Sequence, residues 1–293
     1  MKILLTGVQG QLGFELRTAL APLGEVIAVD RTLLDLSQPE SVGAQVRALR
    51  PDLIVNPAAY TAVDRAESEA DLCHAVNHHA VAALAQAAEA LGAAVIHYST
   101  DYVFDGTLDR PYVETDATRP LNVYGASKRA GELALAAACS QHLTLRTSWV
   151  YGQRGSNFLR TMLRLSLERT HLRVVADQTG APTWCRQLAE DTATLVARQV
   201  VRQDGRTRLA CPAGIVHLTG AGSTSWAGFA REIFRLSGRT TEVEDIPASA
   251  YPTPAARPLN SRLQLDLAER LLGRPVQPWQ TALSRCLQDP AVA

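Results

Sequence analysis

Tyr124 and Lys128 are the two side chains of this sequence whose types and spacing best suit proton transfer. Four residues apart on a helix, the phenol and the ammonium lie on the same face. A phenol with a pKa of about 10 is a poor acid or base at neutral pH unless a cation favours its phenolate, and Lys128 supplies that cation. Such pairs also arise by chance on solvated helix faces, so this pair indicates catalysis only together with other elements.

The hydroxyl of Thr100 is one such element, because Thr100 ends the apolar run 94–100, which is typical of a buried strand. Open α/β sheets bind their ligands at the carboxyl edge, so we expect this hydroxyl to face a ligand. The preceding Ser99 offers a second hydroxyl, and position alone does not choose between the two.

A glycine-rich turn near the N-terminus is the other element. Gly7, Gly10 and Gly13 follow the apolar run 1–6 and precede a helical stripe of apolar residues, which predicts a strand, a tight turn and a helix. Gly7 would allow the turn, Gly10 would let the backbone approach a pyrophosphate, and Gly13 would let the helix pack on the sheet. A glycine turn without a ligand is the simpler alternative, but a strand–helix unit at this position favours a dinucleotide site.

The end of the second predicted strand, 25–30, bears on which dinucleotide is used. Asp30 can accept hydrogen bonds from a ribose 2′-hydroxyl, which favours NADH. Arg31 beside it can pair with a 2′-phosphate, which favours NADPH. We therefore expect both cofactors to be accepted, with NADPH preferred.

Strands and helices alternate along the first half of the chain, which predicts parallel pairing and right-handed crossovers. We predict an α/β fold: a doubly wound parallel (Rossmann) sheet over 1–150, rejoined by about 184–220, and a smaller C-terminal α/β substrate lobe mainly over 151–293. A capping box of Ser37 and Glu40 predicts the start of the helix after the second strand. The other predicted strands are 52–56, 94–100, 143–148, 172–175 and 215–218, and the other predicted helices are 66–91, 124–139, 157–167, 187–200 and 226–236.

The overall composition excludes several classes of partner. Basic and acidic residues both number 29 and form no basic block, so binding to nucleic acid or to an anionic membrane has no compositional support. No apolar run reaches the length of a membrane span, and the N-terminus predicts a strand and not a signal peptide. Five scattered cysteines favour buried thiols in a reducing cytosol. We therefore expect a cytoplasmic protein.

Taken in order, the glycine turn, the strand-end hydroxyl and the Tyr/Lys pair resemble the T-G-x-x-G-x-x-G, Ser/Thr and Y-x-x-x-K pattern of the extended short-chain dehydrogenase/reductase superfamily. Further stretches, nearly from end to end, resemble one of its families, the dTDP-4-dehydrorhamnose reductases. The most specific are STDYVFDG at 99–106 and RPLNS at 257–261. The resemblance implies NAD(P)H-dependent reduction of the 4-keto group of dTDP-4-dehydro-L-rhamnose to dTDP-L-rhamnose, a sugar donor for cell-surface polysaccharides.

The same resemblance implies roles for individual residues. Thr100 would orient the keto oxygen, Tyr124 would donate the proton, and Lys128 would tune Tyr124 and hold ribose hydroxyls. The residues implied to contact the nucleotide sugar are Thr100, Asp101 and Trp149 in the sugar pocket and Arg257 at a phosphate. The other implied cofactor contacts are Gly7, Gly10, Gln11, Leu12 and Gly13 at the glycine turn, Asp30, Arg31, Asp35 and Leu36 at the adenosine half, and Ala58, Ala59, Tyr60 and Thr61 near the nicotinamide.

One departure from the family concerns metal. Some members form dimers through a metal held by two glutamates, one on the first helix and one just past the Q-x-G-x-P-T loop. Glu15 matches the first glutamate, but Arg186 stands at the second position, and a cation there would repel a divalent metal. We therefore expect no metal, and a monomer or weak homodimer that is not metal-bridged.

Two alternatives stay open. A non-catalytic, dinucleotide-binding regulatory subunit would explain the glycine turn but not Thr100, Tyr124 and Lys128 together. A nucleotide-sugar epimerase or 4,6-dehydratase would share the general pattern. The related dehydratases carry Thr-Asp-Glu, whose extra carboxylate removes the proton at C5, whereas this chain has Tyr102 in that place.

Overall fold

The computed structural model describes residues 1–289, and strands alternate with helices through the first half of the chain. The predicted helix 66–91 is divided, because helical structure breaks after Ala66, resumes at Ala70 and includes a π-helical turn at Ala75–His79. The elements of this half are β1 (Lys2–Leu5), α1 (Gln11–Leu20), β2 (Glu25–Ala28), α2 (Pro39–Leu49), β3 (Leu53–Asn56), α3 (Val63–Ala66), α4 (Ala70–His74), α5 (Ala80–Leu91), β4 (Ala94–Thr100), α6 (Val123–Ala138) and β5 (His142–Thr147).

Shorter strands prevail in the second half. Residues 290–293, the end of the predicted lobe, lie outside the described residues. Within residues 1–289, no helix is long and apolar enough to cross a membrane. The elements are β6 (Val150–Tyr151), α7 (Phe158–Glu168), β7 (His171–Val175), β8 (Thr179–Gly180), β9 (Thr183–Trp184), α8 (Cys185–Gln199), β10 (Val200–Gln203), β11 (Arg206–Leu209), β12 (Gly214–His217), β13 (Thr224–Ser225), α9 (Trp226–Leu236), β14 (Glu242–Ile246), α10 (Asp266–Leu272) and α11 (Trp279–Gln288).

The central sheet has six parallel strands in the order β12-β5-β4-β3-β1-β2. The doubly wound parallel sheet is therefore confirmed, and β12 rejoins it beside β5, as predicted for 215–218. The strand order reverses between β1 and β3, and ligands of open α/β sheets bind in the crevice at such a reversal. We therefore expect a ligand site at the carboxyl ends of β1, β3 and β4.

Both faces of the sheet are covered, as the apolar strand runs require. Alternate strand residues point to opposite faces: Ile3 and Leu5 pack in one buried cluster with α1 and α8, whereas Leu4 packs in another with α2 and α5. This packing fixes the start of α1 directly beside the end of β1.

The second half has a separate apolar cluster formed by α7, α9, α11 and β7. The last part of the chain nevertheless returns to the sheet, because Ala268 and Leu272 of α10, together with Val276, pack in the same cluster as Leu188 of α8. The assignment of 151–293 mainly to a substrate lobe stays a prediction, and any such lobe excludes α10.

The predicted capping box before α2 is wrong. The Ser37 hydroxyl donates to Asp35 Oδ1 at 2.8 Å, and Gln38 is the N-cap residue, without a side-chain cap. A short polar side chain can bond to a local turn in place of the helix end, and the Asp35 turn captures Ser37 in this way. Pro39 then starts the helix.

Candidate functional site

A groove of about 900 Å³ opens along the carboxyl edge of the sheet. It brings together the glycine turn, the ends of β1, β3, β4 and β5, and the first turns of α6. Of the residues that the resemblance assigns to catalysis, cofactor or substrate, Arg257 is the one that does not line it. Those that do are Gly7, Gly10, Gln11, Leu12, Gly13, Asp30, Arg31, Asp35, Leu36, Ala58, Ala59, Tyr60, Thr61, Thr100, Asp101, Tyr124, Lys128 and Trp149.

The glycine turn has no room for a side chain at Gly7 or Gly13. Gly7 has φ of +58°, and a Cβ on Gly13 would lie 2.1 Å from the Gly7 carbonyl oxygen. The N–H of Gly10 donates to that same oxygen at 2.9 Å, which closes the turn. Gly10 is also the N-cap of α1 and provides no side-chain cap, so this helix start suits an anionic ligand.

The end of β2 carries a carboxylate that is already hydrogen-bonded. Asp30 accepts from the backbone and hydroxyl of Thr32 at 3.0 and 2.6 Å and from Gln9 Nε2 at 2.7 Å. The bonds from Thr32 are the main reason that the pKa of Asp30 is lowered. Arg31 beside it is exposed at the mouth of the groove. Charges of both signs therefore stand at this end.

The segment that follows β3 is held from behind by Asn77, in the π-helical turn. The Asn77 side chain accepts from the Tyr60 N–H at 2.9 Å and donates to the Tyr60 carbonyl at 3.0 Å. It also donates to the Ser127 hydroxyl at 3.0 Å, which links this segment to α6. The backbone from 57 to 61 is thereby fixed as one wall of the groove.

Thr100 and Asp101 lie at the end of β4, almost completely buried. The Thr100 hydroxyl donates to Asp101 Oδ1 at 2.9 Å and accepts from the Tyr102 N–H at 3.1 Å. Burial raises the pKa of Asp101 to about 6, with hydrogen bonds from Ser261 and Thr100 acting in the opposite direction. A carboxyl group whose pKa lies close to neutral pH thus stands beside the Thr100 hydroxyl.

Helix α6 presents Tyr124 and Lys128 to the same end of the groove. Its N-cap is Asn122, whose side chain accepts from the Gly125 N–H at 2.7 Å. Gly125 allows close packing, because a Cβ there would lie 2.2 Å from the Tyr102 carbonyl oxygen. The first turn of α6 is therefore pressed against the turn that carries Asp101.

The electrostatics of this pair differ from the expectation. Burial raises the pKa of the Tyr124 phenol, and the neighbour that chiefly lowers it is Thr100, not Lys128. The Lys128 ammonium instead lies 3.3 Å from His97 Nε2, and burial lowers its pKa to about 8. Burial and the Lys128 charge keep His97 neutral by lowering its pKa well below the usual range. Tyr124 is accordingly protonated at neutral pH and can donate.

Trp149 follows β5 and lines the groove, whereas Arg257 does not. The Arg257 guanidinium donates to both oxygens of Asp64, at 3.0 and 2.8 Å, and to the Ala255 carbonyl at 2.9 Å. In this structure it fastens its own loop to the start of α3. The phosphate contact implied for Arg257 stays a prediction.

Several residues that line the groove were not predicted from the sequence to belong to the site. Asn157 donates to Gln11 Oε1 at 2.8 Å and also caps α7, so it joins the glycine turn to the second half of the chain. An asparagine at the first position of a predicted helix, a residue type that favours the N-cap, was the available signal. Thr147 lies beside Thr100 in the β4–β5 register, and its buried hydroxyl has no hydrogen-bond partner among residues 1–289. The others include Gln9, Leu34, Ser37, Arg65, Glu69, Leu72, Val76, Tyr98, Ser148 and Ser156.

The position of the family's metal is filled by ion pairs. Arg186 Nε donates to Glu15 Oε2 at 2.9 Å, and the same guanidinium pairs with Asp289. His74, His78 and His79 lie on α4 and the π-helical turn. Within residues 1–289, no three histidine, cysteine or carboxylate side chains are grouped so that they could hold a metal ion.

The comparisons with known proteins match this chain over nearly its whole length. Residues 1–292 match the family model described as RmlD substrate binding domain. Curated dTDP-4-dehydrorhamnose reductases of Burkholderia thailandensis and Escherichia coli K12 are 47% and 46% identical, over 99% of this chain and 99% and 98% of theirs. A crystal structure of dTDP-4-dehydrorhamnose reductase from Bacillus anthracis in complex with NADP is 36% identical, with a TM-score of 0.88 over 98% of this chain and 99% of that one. This chain therefore belongs to the RmlD substrate-binding-domain family, that of the dTDP-4-dehydrorhamnose reductases.

Proposed function

We propose that this chain reduces the 4-keto group of dTDP-4-dehydro-L-rhamnose with NADPH and releases dTDP-L-rhamnose. The observation that carries the proposal is the convergence of Thr100, Tyr124 and Lys128 in the groove that the glycine turn opens. A dinucleotide fold alone would support many activities. A proton donor, a strand-end hydroxyl and a lysine at the same edge support reduction of a carbonyl.

The residues present fit an NADP cofactor. The turn that Gly7 and Gly13 keep free of side chains, together with the uncapped start of α1, suits the pyrophosphate. Asp30 and Arg31 offer partners for a ribose hydroxyl and for a 2′-phosphate, so NADH is accepted as well and NADPH is preferred. Lys128 would hold the ribose nearest the reacting carbonyl. When bound, the cofactor supplies the hydride that reduces C4.

Tyr124 holds the proton that completes the reduction. As the keto oxygen gains negative charge, a donor positioned beside it stabilises the transition state. The raised pKa of Tyr124 keeps its phenol protonated until that charge develops. Thr100 can donate to the same oxygen once its hydroxyl, which donates to Asp101 in the structure without substrate, turns toward the keto group.

Two alternatives are less well supported. A regulatory subunit that only binds a dinucleotide would not need Tyr124 and Thr100 at the same end of the groove. A 4,6-dehydratase needs a base to remove the C5 proton. Here Tyr102 occupies the place of the dehydratase glutamate, and burial raises its pKa, so it cannot serve as a base at neutral pH.

The proposal includes assembly and location. A guanidinium where the family's bridging metal would bind favours a monomer or a weak homodimer that is not metal-bridged. All five cysteines are buried free thiols, which fits a reducing cytoplasm.

The decisive experiment follows NADPH absorbance while the purified protein is given dTDP-, UDP- and GDP-linked 4-keto sugars in turn. We expect net oxidation of NADPH, fastest with the dTDP sugar, and dTDP-L-rhamnose as the product. Epimerases and 4,6-dehydratases regenerate their cofactor in each turnover, so product formation without net NADPH consumption would favour them. NADPH binding without turnover of any sugar would favour the regulatory subunit.

A further inference from the structure

Trp149 has an unusual backbone conformation for a large side chain. Its φ is +46°, in the left-handed region that bulky residues rarely adopt. Such a conformation is strained and persists only where surrounding contacts impose it. Because Trp149 lines the groove, the contacts that impose it also determine the shape of the groove.

The main contact is a second indole. The ring of Trp226 lies parallel to that of Trp149, with ring centroids 3.6 Å apart and planes inclined by 8°. Aromatic rings left to themselves prefer offset or edge-on pairs, so this close overlap is imposed by the packing around it. Trp226 does not line the groove, so any effect that it has there passes through Trp149.

Trp226 is itself held firmly. It is the first residue of α9, whose N-cap Ser225 accepts from the Gly228 N–H at 3.0 Å. The short strand β13 before it pairs with β8, and the ring of Phe158 packs against Trp226 at 4.7 Å between centroids. The second half of the chain therefore presents Trp226 as a fixed platform.

Gly180 of β8 holds the edge of the Trp149 ring. A Cβ on Gly180 would lie 2.7 Å from Trp149 Cε2, so only glycine leaves room for the indole in this position. The Trp149 ring thus has Trp226 against one face and the Gly180 backbone at its edge. Its remaining exposed part lines the groove that Asp101 also lines.

We propose that Trp226 is a positioning residue for sugar-nucleotide recognition: its indole, stacked on Trp149, holds that side chain as a rigid wall of the sugar pocket. This inference rests on the proposed function, in which Trp149 contacts the sugar of the dTDP substrate. A wall that is already fixed costs no ordering when the sugar binds, so affinity for the nucleotide sugar depends on the stack, whereas affinity for NADPH does not.

The test compares wild-type protein with Trp226→Leu, Trp226→Phe and, as a matched control, Trp279→Phe. Trp279 is another tryptophan of the second half, buried and edge-on to Phe229, outside the stack. Two stacked indoles give an exciton couplet in far-ultraviolet circular dichroism, which reports the stack with no ligand present. KM for dTDP-4-dehydro-L-rhamnose, KM for NADPH and kcat are then measured separately, and melting temperatures confirm that each variant is folded.

We expect Trp226→Leu to lose the couplet and to raise KM for the sugar nucleotide roughly three- to tenfold, with KM for NADPH unchanged. Trp226→Phe should restore most of the sugar affinity, and Trp279→Phe should keep both the couplet and the affinity. An unchanged sugar KM in Trp226→Leu after loss of the couplet, or equal losses for both ligands, would overturn the inference. A wild-type protein that shows the couplet but turns over no keto sugar would overturn the proposed function instead.

Discussion

The glycine turn of the cofactor half is built from residues that are close in sequence, whereas the substrate half of the groove is built from residues that are far apart. In the cofactor half, Gly7 to Gly13 form one strand–turn–helix unit whose shape follows from backbone sterics. In the substrate half, Thr100 and Tyr124 depend on a helix pressed onto a turn, and Trp149 on a stack with Trp226. The glycine turn leaves almost no space for an added atom at Gly7 or Gly13. The substrate half of the groove depends instead on buried polar groups and aromatic packing.

This difference means that the two halves should fail separately. A change in the cofactor half should weaken dinucleotide binding through a steric clash. A change in the substrate half should alter turnover, pH dependence or sugar affinity while dinucleotide binding persists. The variants below test this separation, starting from the largest expected effect.

Replacement of the proton donor should affect the substrate half alone. Tyr124→Phe keeps the ring that packs edge-on to Tyr102 at 6.0 Å and removes only the hydroxyl. We expect kcat to fall roughly 10²-fold or more, the usual scale for loss of a general acid, while calorimetry shows nearly unchanged NADPH affinity. Thr100→Val should be milder, and Lys128→Met should lose both rate and cofactor affinity.

Tyr102→Phe is the matched control, because it removes a neighbouring phenol that does not line the groove. It should keep kcat near the wild-type value. Near-normal turnover by Tyr124→Phe at neutral pH would show that the proton comes from another group.

Asp101 should make folding stability depend on pH in an unusual direction. Its pKa is raised from 3.8 to about 6, so the folded protein holds a proton that the unfolded chain releases. The contribution of Asp101 to stability is therefore greatest below about pH 4, falls as pH rises through about 6, and is lower by about 3 kcal/mol above that range. Asp101→Asn should remove this loss, and urea unfolding at pH 4 and pH 7 measures it.

Asp116 is the opposite case and serves as the control. Hydrogen bonds from Arg110 are the main reason that its pKa is lowered to about 2, so Asp116→Asn should reduce stability at neutral pH. If Asp101→Asn is no more stable than wild type at pH 7, the pKa of the Asp101 carboxyl is not raised in the folded protein.

An added methyl group in the cofactor half should act through sterics. In Gly13→Ala the Cβ would meet the Gly7 carbonyl oxygen at 2.1 Å, which requires the turn and α1 to move apart. We expect a loss of about 1–3 kcal/mol in unfolding free energy and weaker binding of NADPH, with a smaller change in sugar-nucleotide affinity. Thermal unfolding and calorimetry give the two quantities.

The matched control is Gly43→Ala in α2. There the nearest atom to an added Cβ is the flexible end of Arg47, at 3.2 Å, and alanine is the better helix former. Gly43→Ala should therefore be neutral or stabilising. Unchanged NADPH affinity in Gly13→Ala would contradict the role assigned to the glycine turn.

Arg186 forms ion pairs that join the first helix of the chain to its last described residue. Its replacement should give the smallest of these effects. It pairs Glu15 of α1 with Asp289, just after α11. Arg186→Leu leaves Glu15, which is 9% exposed, without this partner and should cost about 1–2 kcal/mol. Arg164→Leu breaks a pair in which both side chains are more than half exposed and should cost less.

Because Arg186 already pairs with Glu15, we expect a chelator to leave the assembly state of the wild-type protein unchanged. Light scattering during size-exclusion chromatography, with and without EDTA, measures this. Dissociation of a dimer on adding EDTA would show that a metal bridges two copies in spite of Arg186.

The glycine turn of the cofactor half was predictable from sequence because its determinants are local. A glycine at a tight turn, a strand before it and a helix after it lie within a few residues, and their spacing determines their geometry. The Tyr124–Lys128 pair was predictable for the same reason, since residues four apart on a helix share a face. The parallel sheet followed from apolar runs that alternate with helices.

Tertiary structure decided what those residues touch. It places Lys128 against His97, ties Arg257 to Asp64, and places Asn157 against Gln11 across 146 positions of sequence. It also stacks Trp226 on Trp149 and raises the pKa of Asp101 by burial. Burial and contacts between distant segments arise only when the chain packs, so no local spacing encodes them, whereas backbone sterics act between neighbours and can be read directly from their order.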